Sequence, residues 1–504
     1  MNSKCSAMSM IEKDATQCNA PENKITQWRE TPTKKILYAP KEETMILLGG
    51  LTNLQDKLIE TALCSLSPNF IALPNPNLES FQKGKAFGNR GQCNPTYFTV
   101  GNLVKYLQEL RDKQGLTTEE IVKKYALVTV GGCGPCRFGM YITEYKKALR
   151  DAGFDGFRIT SIAQNKGIFQ ESDKEEDILD LSPKFFIILL KAIIIGDIIN
   201  LLGYKMRPYE IEAGSVDKAM EACRVIVSKA FEQKTNLPKA LWDCRKVLKK
   251  VKLNRLQPKA KILVMGEFWA AMTEGDGNYN LHRFLEAEGA ECTPQPIINR
   301  LMLTFWEAEY KLKKIETLAV ENGKKIDFSN VKSRLLIKMA KIAVKIHFGI
   351  YAKAIGLYNY EIPNMKKLAT LGEQYYTLDC EGGEGHLEVA HLIESVKDNL
   401  SHLTISIKPF GCMPSSAVSD GVQSLVTSHY PSANFLSIET SGEGAANFYS
   451  RVQMALFKAK QAAIEEYEIL NIPRNIPQKV HNYLYQPHNK KTGTAAQLIA
   501  SLRD

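Results

Sequence analysis

From Lys41 onward the chain alternates between short apolar runs and longer stretches whose apolar residues recur every three or four positions. This pattern predicts strands over 45–49, 69–73 and 125–130, with helices over 52–65, 96–110 and 141–149 between and after them. Strands that are apolar throughout, with no polar alternation, imply a parallel sheet covered on both faces. Residues 166–255 read as mainly helical, and the strand–helix rhythm resumes at 261–266. It continues through a helix ending near 288, strands at 403–407 and 434–438, a helix over 417–428 and a last helix to about 467.

The expected architecture is α/β, with two parallel-sheet units, helical insertions and a site in the cleft between them. The expected divisions are a polar extension (1–40), a first α/β domain (41–165), a helical segment (166–258), a second α/β domain (259–310 and 375–470), a helical insertion (311–374) and a tail (471–504). Residues 185–202 are nearly continuous in Ile, Leu and Phe, long enough to raise a membrane span. Lys191 and Asp197 interrupt the run, Ser182-Pro183 supplies a helix start and Gly203 a stop, so it reads as a buried core helix.

Composition narrows the class. With 44% hydrophobic and 24% charged residues over 504 positions, the chain has the balance of a soluble protein of two or more globular units. It has 11 cysteines and no apolar signal core near the N-terminus, which fits a reducing cytoplasm better than a disulfide framework. The net charge of +10 is concentrated in the Lys-rich stretch 311–354. No nucleic-acid motif occurs there, so the expectation is a solvated helix face, with no nucleic acid and no membrane as partner.

Chemistry concentrates at Cys133-Gly134-Pro135-Cys136, directly after an apolar strand. Gly131, Gly132 and Gly134 relax the backbone and Pro135 fixes φ, so both thiols can point at one centre. A lone C-x-x-C leaves three readings: a redox disulfide, half a zinc site, or part of an iron–sulfur site. Zinc lacks its second pair, because no other C-x-x-C and no His pair at ligand spacing occurs.

Cys93, in Gly91-Gln92-Cys93-Asn94-Pro95, and Cys412, in Gly411-Cys412-Met413-Pro414, share the setting of Gly before the thiol and Pro after it. Helix N-termini and successive backbone N–H groups stabilise thiolates and anionic sulfide. Cys93, Cys133, Cys136 and Cys412 would complete the ligands of one four-iron cluster; the bland alternative for each is a small buried hydrophobe. Cys5, Cys18, Cys64, Cys223, Cys244 and Cys292 read as core or bystander thiols, and Cys380, in a Gly-rich loop, as a fifth candidate.

Other motifs carry less. Arg207 and Glu210 read as a structural ion pair, with contact to an anionic ligand as the alternative. Residues 274–278 lack the ligand ladder of a calcium loop and read as a turn whose Asn278 caps the next helix. No Walker A motif and no nucleophile elbow is present, so neither ATP hydrolysis by this chain nor serine hydrolase chemistry is supported.

The segments GNRGQCNP (88–95), GGCGPCRFGMY (131–141), RPYE (207–210), GEFW and EGDGNYNLHRFLEAEGAE (within 266–291) and KPFGCMPSS (408–416) together resemble the 2-hydroxyacyl-CoA dehydratase superfamily, including the dehydratase-like domain of activase-related proteins. The resemblance spans roughly 45–460. It implies two flavodoxin-like domains around an oxygen-sensitive iron–sulfur cluster, most simply 4Fe-4S, held by Cys93, Cys133, Cys136 and Cys412. It also implies a separate ATP-hydrolysing activator with an acetate-kinase-like fold, which injects a low-potential electron, an acyl-CoA substrate that reacts through a ketyl radical, and a homodimeric or heterodimeric assembly.

One departure matters. True dehydratase subunits use three thiols and leave an iron open, whereas four thiols here would close the cluster and favour electron transfer. The expectation is therefore a cytoplasmic, anaerobic dehydratase-like or reductase component. The alternative is a non-catalytic electron relay or scaffold, and a zinc-stabilised structural protein is a third reading.

Overall fold

The computed structural model describes residues 36–469 except 68, 133–135, 164–168, 171–181, 256, 324, 326, 359 and 381–382. Most of the expected N-terminal extension, the tail from 471, Cys5, Cys18 and Cys133 lie outside the described residues. Two sheets organise the rest. The first contains β1 (Met45–Leu48), β2 (Phe70–Ala72), β3 (Tyr125–Gly131), β4 (Arg158–Ala163) and β5 (Phe169–Gln170), in the order β2-β1-β3-β4-β5. All neighbours are parallel except β4 and β5. The second contains β6 (Lys261–Gly266), β7 (Glu291–Pro294), β8 (Leu403–Pro409) and β9 (Phe435–Thr440), all parallel, in the order β7-β6-β8-β9.

Both sheets therefore run second, first, third, fourth strand, the flavodoxin-like order. The α/β architecture with two flavodoxin-like parallel sheets, expected from the apolar strand runs and the family resemblance, is the one observed. β8 shows the reason: all seven of its residues are buried, as a strand covered on both faces requires. In this topology the strand order reverses between the first and third strands, and a crevice opens beyond their carboxyl ends. Those crevices lie past β1 and β3 in one sheet and past β6 and β8 in the other.

The apolar segment expected as a core helix is the helix Pro183–Met206, capped by Ser182, whose hydroxyl accepts from the Phe185 amide. Among the described residues it is the one helix long and apolar enough to cross a membrane. Its Ile194, Ile195, Ile198, Ile199, Leu201 and Leu202 are instead buried in the largest hydrophobic core, against the first sheet and the helix Asn53–Cys64. Gly203 does not stop it. The helix continues to Met206, and Gly203 is where a side chain would meet the Met220 sulfur at 2.4 Å and the Arg207 guanidinium at 2.6 Å.

Asp197, in the middle of this helix, ties the molecule together. Its carboxylate accepts from Gln55 Nε2 at 2.7 Å, from Ile297 N at 3.1 Å and from Ile298 N at 2.8 Å. The last two are orphan donors at the start of the helix Ile297–Glu321, which Pro296 cannot cap. Two smaller expectations are corrected. Asn278 does not cap the following helix Leu281–Ala287; Asn280 is the N-cap residue, and the Asn278 amide donates to Ala270 O and Thr273 O within the preceding turn. Arg207 pairs with Glu286 at 2.8 Å, not with Glu210. Glu210 accepts from Gly214 N and Val216 N, closing the turn into the helix Ser215–Glu232.

Candidate thiol and carboxylate site

Cys93 is the N-cap residue of the helix Asn94–Asp112 and Cys136 precedes the turn Arg137–Met140, so both thiols sit where the chain enters a helical segment. Cys412 does the same on the second sheet, after β8 and before Met413–Ser416, which runs on through the π-wound turn Ala417–Val422 into Gln423–His429. Cys93 and Cys412 are buried and Cys136 is half-buried, and all three are free thiols.

The loop that presents Cys93 is fixed from the helix Tyr141–Asp151. Glu144 accepts from Asn89 N at 3.1 Å, Asn89 Nδ2 at 2.8 Å and Gln92 Nε2 at 2.9 Å. Arg137, beside Cys136, donates to Gly91 O, and Tyr141 OH lies 3.3 Å from the Cys93 sulfur, with Thr96 Oγ1 at 3.1 Å. The Cys93 loop and the Cys136 turn are thus one hydrogen-bonded unit.

The second sheet closes on it directly. Asn94 N donates to Phe410 O at 3.1 Å and Asn94 Nδ2 to Thr440 O at 2.7 Å. Gly411 has φ +75, and a side chain there would lie 3.2 Å from Cys93 Cα. Glycine at 411 is what lets the Cys412 loop rest on the Cys93 backbone.

Carboxylates that the sequence reading missed gather around these thiols. Glu267 lies at the carboxyl end of β6, the same kind of place as the cysteines, and accepts from Trp269 N at 3.1 Å and Ala270 N at 2.8 Å. Burial pushes it up to about 7, those two amides oppose the rise and the charge of Glu384 adds to it. Glu388 accepts from Ser415 Oγ at 2.9 Å and Ser406 Oγ at 3.3 Å; burial raises it to about 8 against both hydroxyls. Burial also raises Glu384, opposed by Arg300, whose Nη1 lies 3.7 Å from Glu384 Oε1 and donates to Gly383 O at 3.1 Å.

The thiols feel the same surroundings. Burial, then the charges of Glu267, Cys93 and Glu384, push Cys136 up to about 11, against the Phe138 amide. Burial and the charges of Glu267 and Glu388 hold Cys412 well above the usual thiol range, against Ser415. Both are protonated at neutral pH without a metal, so metal binding would release protons.

Glu388→Gln gives a direct check on this electrostatic arrangement. A carboxyl raised from 4.5 to about 8 binds its extra proton in the folded state between those values. Its contribution is therefore most favourable below the lower pKa and is lost as pH rises through the upper one. Chemical denaturation across that window is expected to show a shallower fall in stability for the glutamine variant; an unchanged slope would mean that Glu388 is not held in this way.

The structure thus brings Cys93, Cys136 and Cys412 to one region, while Cys133 lies outside the described residues. Among the described residues no group of three or more His, Cys, Asp or Glu is closed tightly enough to hold a metal ion. The donors fit a cluster in kind: soft, buried thiols at helix entries, supported by ordered neighbours. Cys380 is exposed, beside Tyr376. Cys223 and Cys244 are buried where the helices Ser215–Glu232 and Leu237–Leu248 meet, each sulfur toward the other's carbonyl, and Cys292 is buried in β7, as core cysteines.

A cavity of about 880 Å³ lies elsewhere and is lined by none of these thiols or raised glutamates. Its Arg207, Arg224 and Arg283 are each paired, with Glu286, Glu221 and Asp217. No protein-family model matches this chain, and no curated protein matches it.

Proposed function

We propose that this chain is a cytoplasmic iron–sulfur protein of the 2-hydroxyacyl-CoA dehydratase type that accepts a low-potential electron from a separate ATP-hydrolysing activator. The observation that carries this reading is the meeting of Cys93, Cys136 and Cys412, from two flavodoxin-like sheets, in one buried and hydrogen-bonded region. Cys93, Cys133, Cys136 and Cys412 would hold the cluster, most simply 4Fe-4S, which when bound supplies one-electron reducing chemistry.

The surrounding residues suit an elimination of water. That reaction needs a proton delivered to a departing hydroxyl and another taken from carbon. Glu267 and Glu388, raised to about 7 and about 8, exchange protons near neutrality. Arg300 keeps a positive charge beside Glu384, where it can orient an anionic or carbonyl group. The interlocked loops bury Cys93 and Cys412, and Glu144 and Tyr141 hold the Cys93 loop in place.

A second reading, an electron relay or scaffold with a closed four-thiol cluster, is favoured by the distance of the large cavity from the thiol region: none of the thiols lines it. Incubating the anaerobic protein with an activator of the acetate-kinase-like fold, ATP, a reductant and a panel of 2-hydroxyacyl-CoA esters separates the two. Formation of the 2-enoyl product is the expected outcome. Reduction of the cluster without product would leave the relay.

A further inference from the structure

The helix Phe328–Ile355 contains no Asp or Glu, but it carries Lys332, Arg334, Lys338, Lys341, Lys345 and Lys353. One side of it is fully used. Val344, Phe348, Tyr351 and Ile355 enter the core, and Arg334 and Lys341 pair with Glu316 and Glu309 of the neighbouring helix Ile297–Glu321. The opposite side faces outward and is apolar. Phe328, Leu335, Met339, Ile342, Ile346 and Ile350 recur at helical spacing, each at least half exposed. The stripe runs for ~33 Å at 1.5 Å per residue. Lys338 and Lys345 fall along one margin of it and Lys332 along the other, all exposed. The solvated lysine face expected from the sequence is therefore an apolar face with a basic border.

A continuous exposed apolar strip of this length marks an interaction surface. Its charge says what covers it. A second copy would bring the same carboxylate-free helix and its cations against these cations. The residues before 36 and after 469 carry more Lys and Arg than Asp and Glu, so neither terminus complements it. An apolar stripe bordered by lysines matches the boundary of an anionic bilayer, where the side chains enter the acyl region and the ammonium groups meet the headgroup phosphates.

We infer that the helix Phe328–Ile355 docks the protein, lying flat, on an anionic lipid surface. The core helix Pro183–Met206 is not the surface meant here, since its second half is buried in the largest core. The inference stands independently of the cluster.

Flotation of the full chain with vesicles of phosphatidylcholine alone, or mixed with phosphatidylglycerol, tests it. The expected result is salt-sensitive binding to the mixed vesicles and little to the neutral ones. The Met339→Ser/Ile342→Ser/Ile346→Ser variant and the Lys338→Glu/Lys345→Glu variant should each weaken binding by more than about tenfold. All five side chains lie outside the core, so circular dichroism and the melting temperature should hold, and should the serine variant fail to fold, the charge variant decides. Absence of binding to the anionic vesicles, or binding that both variants retain, would overturn the inference. So would a dimer in analytical ultracentrifugation that these substitutions dissociate, without vesicle binding, because the face would then belong to a second copy.

Discussion

Asp197→Leu is expected to lower the unfolding free energy by roughly 3 kcal/mol or more, because three buried donors lose their acceptor at once. Those donors are Gln55 Nε2 and the amides of Ile297 and Ile298, and they belong to the two helices that flank the core helix. Leucine would fill the volume, so the loss would report unsatisfied polar groups and not a cavity. Asp197→Asn keeps an acceptor oxygen and should cost only about 1 kcal/mol.

The pH dependence separates the two variants further. Burial raises Asp197 from 3.8 to about 7, against the hydrogen bonds from Ile298, Ile297 and Gln55. Its contribution is most favourable below the lower value and declines as pH rises through the upper one, and the asparagine variant should lack that part of the slope. Urea denaturation at several pH values measures both effects. A leucine variant as stable as the wild type would mean that Asp197 does not join the helices.

The second large effect belongs to the thiols. Cys136→Ser is expected to remove essentially all bound iron while leaving the unfolding free energy within about 0.5 kcal/mol of the wild type in the metal-free state. The side chain is half-buried at the start of the turn Arg137–Met140, and serine is a close match in size, so the packing of the turn survives. A hydroxyl does not replace a thiolate as a ligand for iron–sulfur chemistry. Iron and acid-labile sulfide analysis alongside circular dichroism checks this. Retained iron would remove Cys136 from the ligand set, and loss of fold would make it a core residue.

How far the sequence foretold these results depended on the range of the interactions involved. The strands β1 and β6 were legible because most of their residues are buried, which leaves apolar runs such as Met45–Leu48 and Ile262–Met265. Ser182 was legible as a helix cap because its bond to the Phe185 amide is local. Gly203 was misread as a stop because its role is tertiary: it makes room for Met220 and Arg207. The pairing of Arg207 with Glu286, across 79 positions of sequence, was equally invisible.

The same division holds in the site. Cys93, Cys136 and Cys412 stood out by their Gly and Pro neighbours, which shape the turns that present them. Glu267 had a similar signal, standing at the carboxyl end of an apolar strand. Arg300, Glu384 and Glu388 had none, because they reach the thiols only through the packing of the second sheet and its helices. The outward face of Phe328–Ile355 was hidden because an apolar residue looks the same in sequence whether it enters a core or faces solvent.

Purification under strict anaerobic conditions, with iron, acid-labile sulfide and the EPR spectrum of the dithionite-reduced protein measured on the same sample, tests the central claim most directly. About four irons and four sulfides per chain with a reducible signal is the predicted result. Absence of iron, or zinc alone, would contradict it.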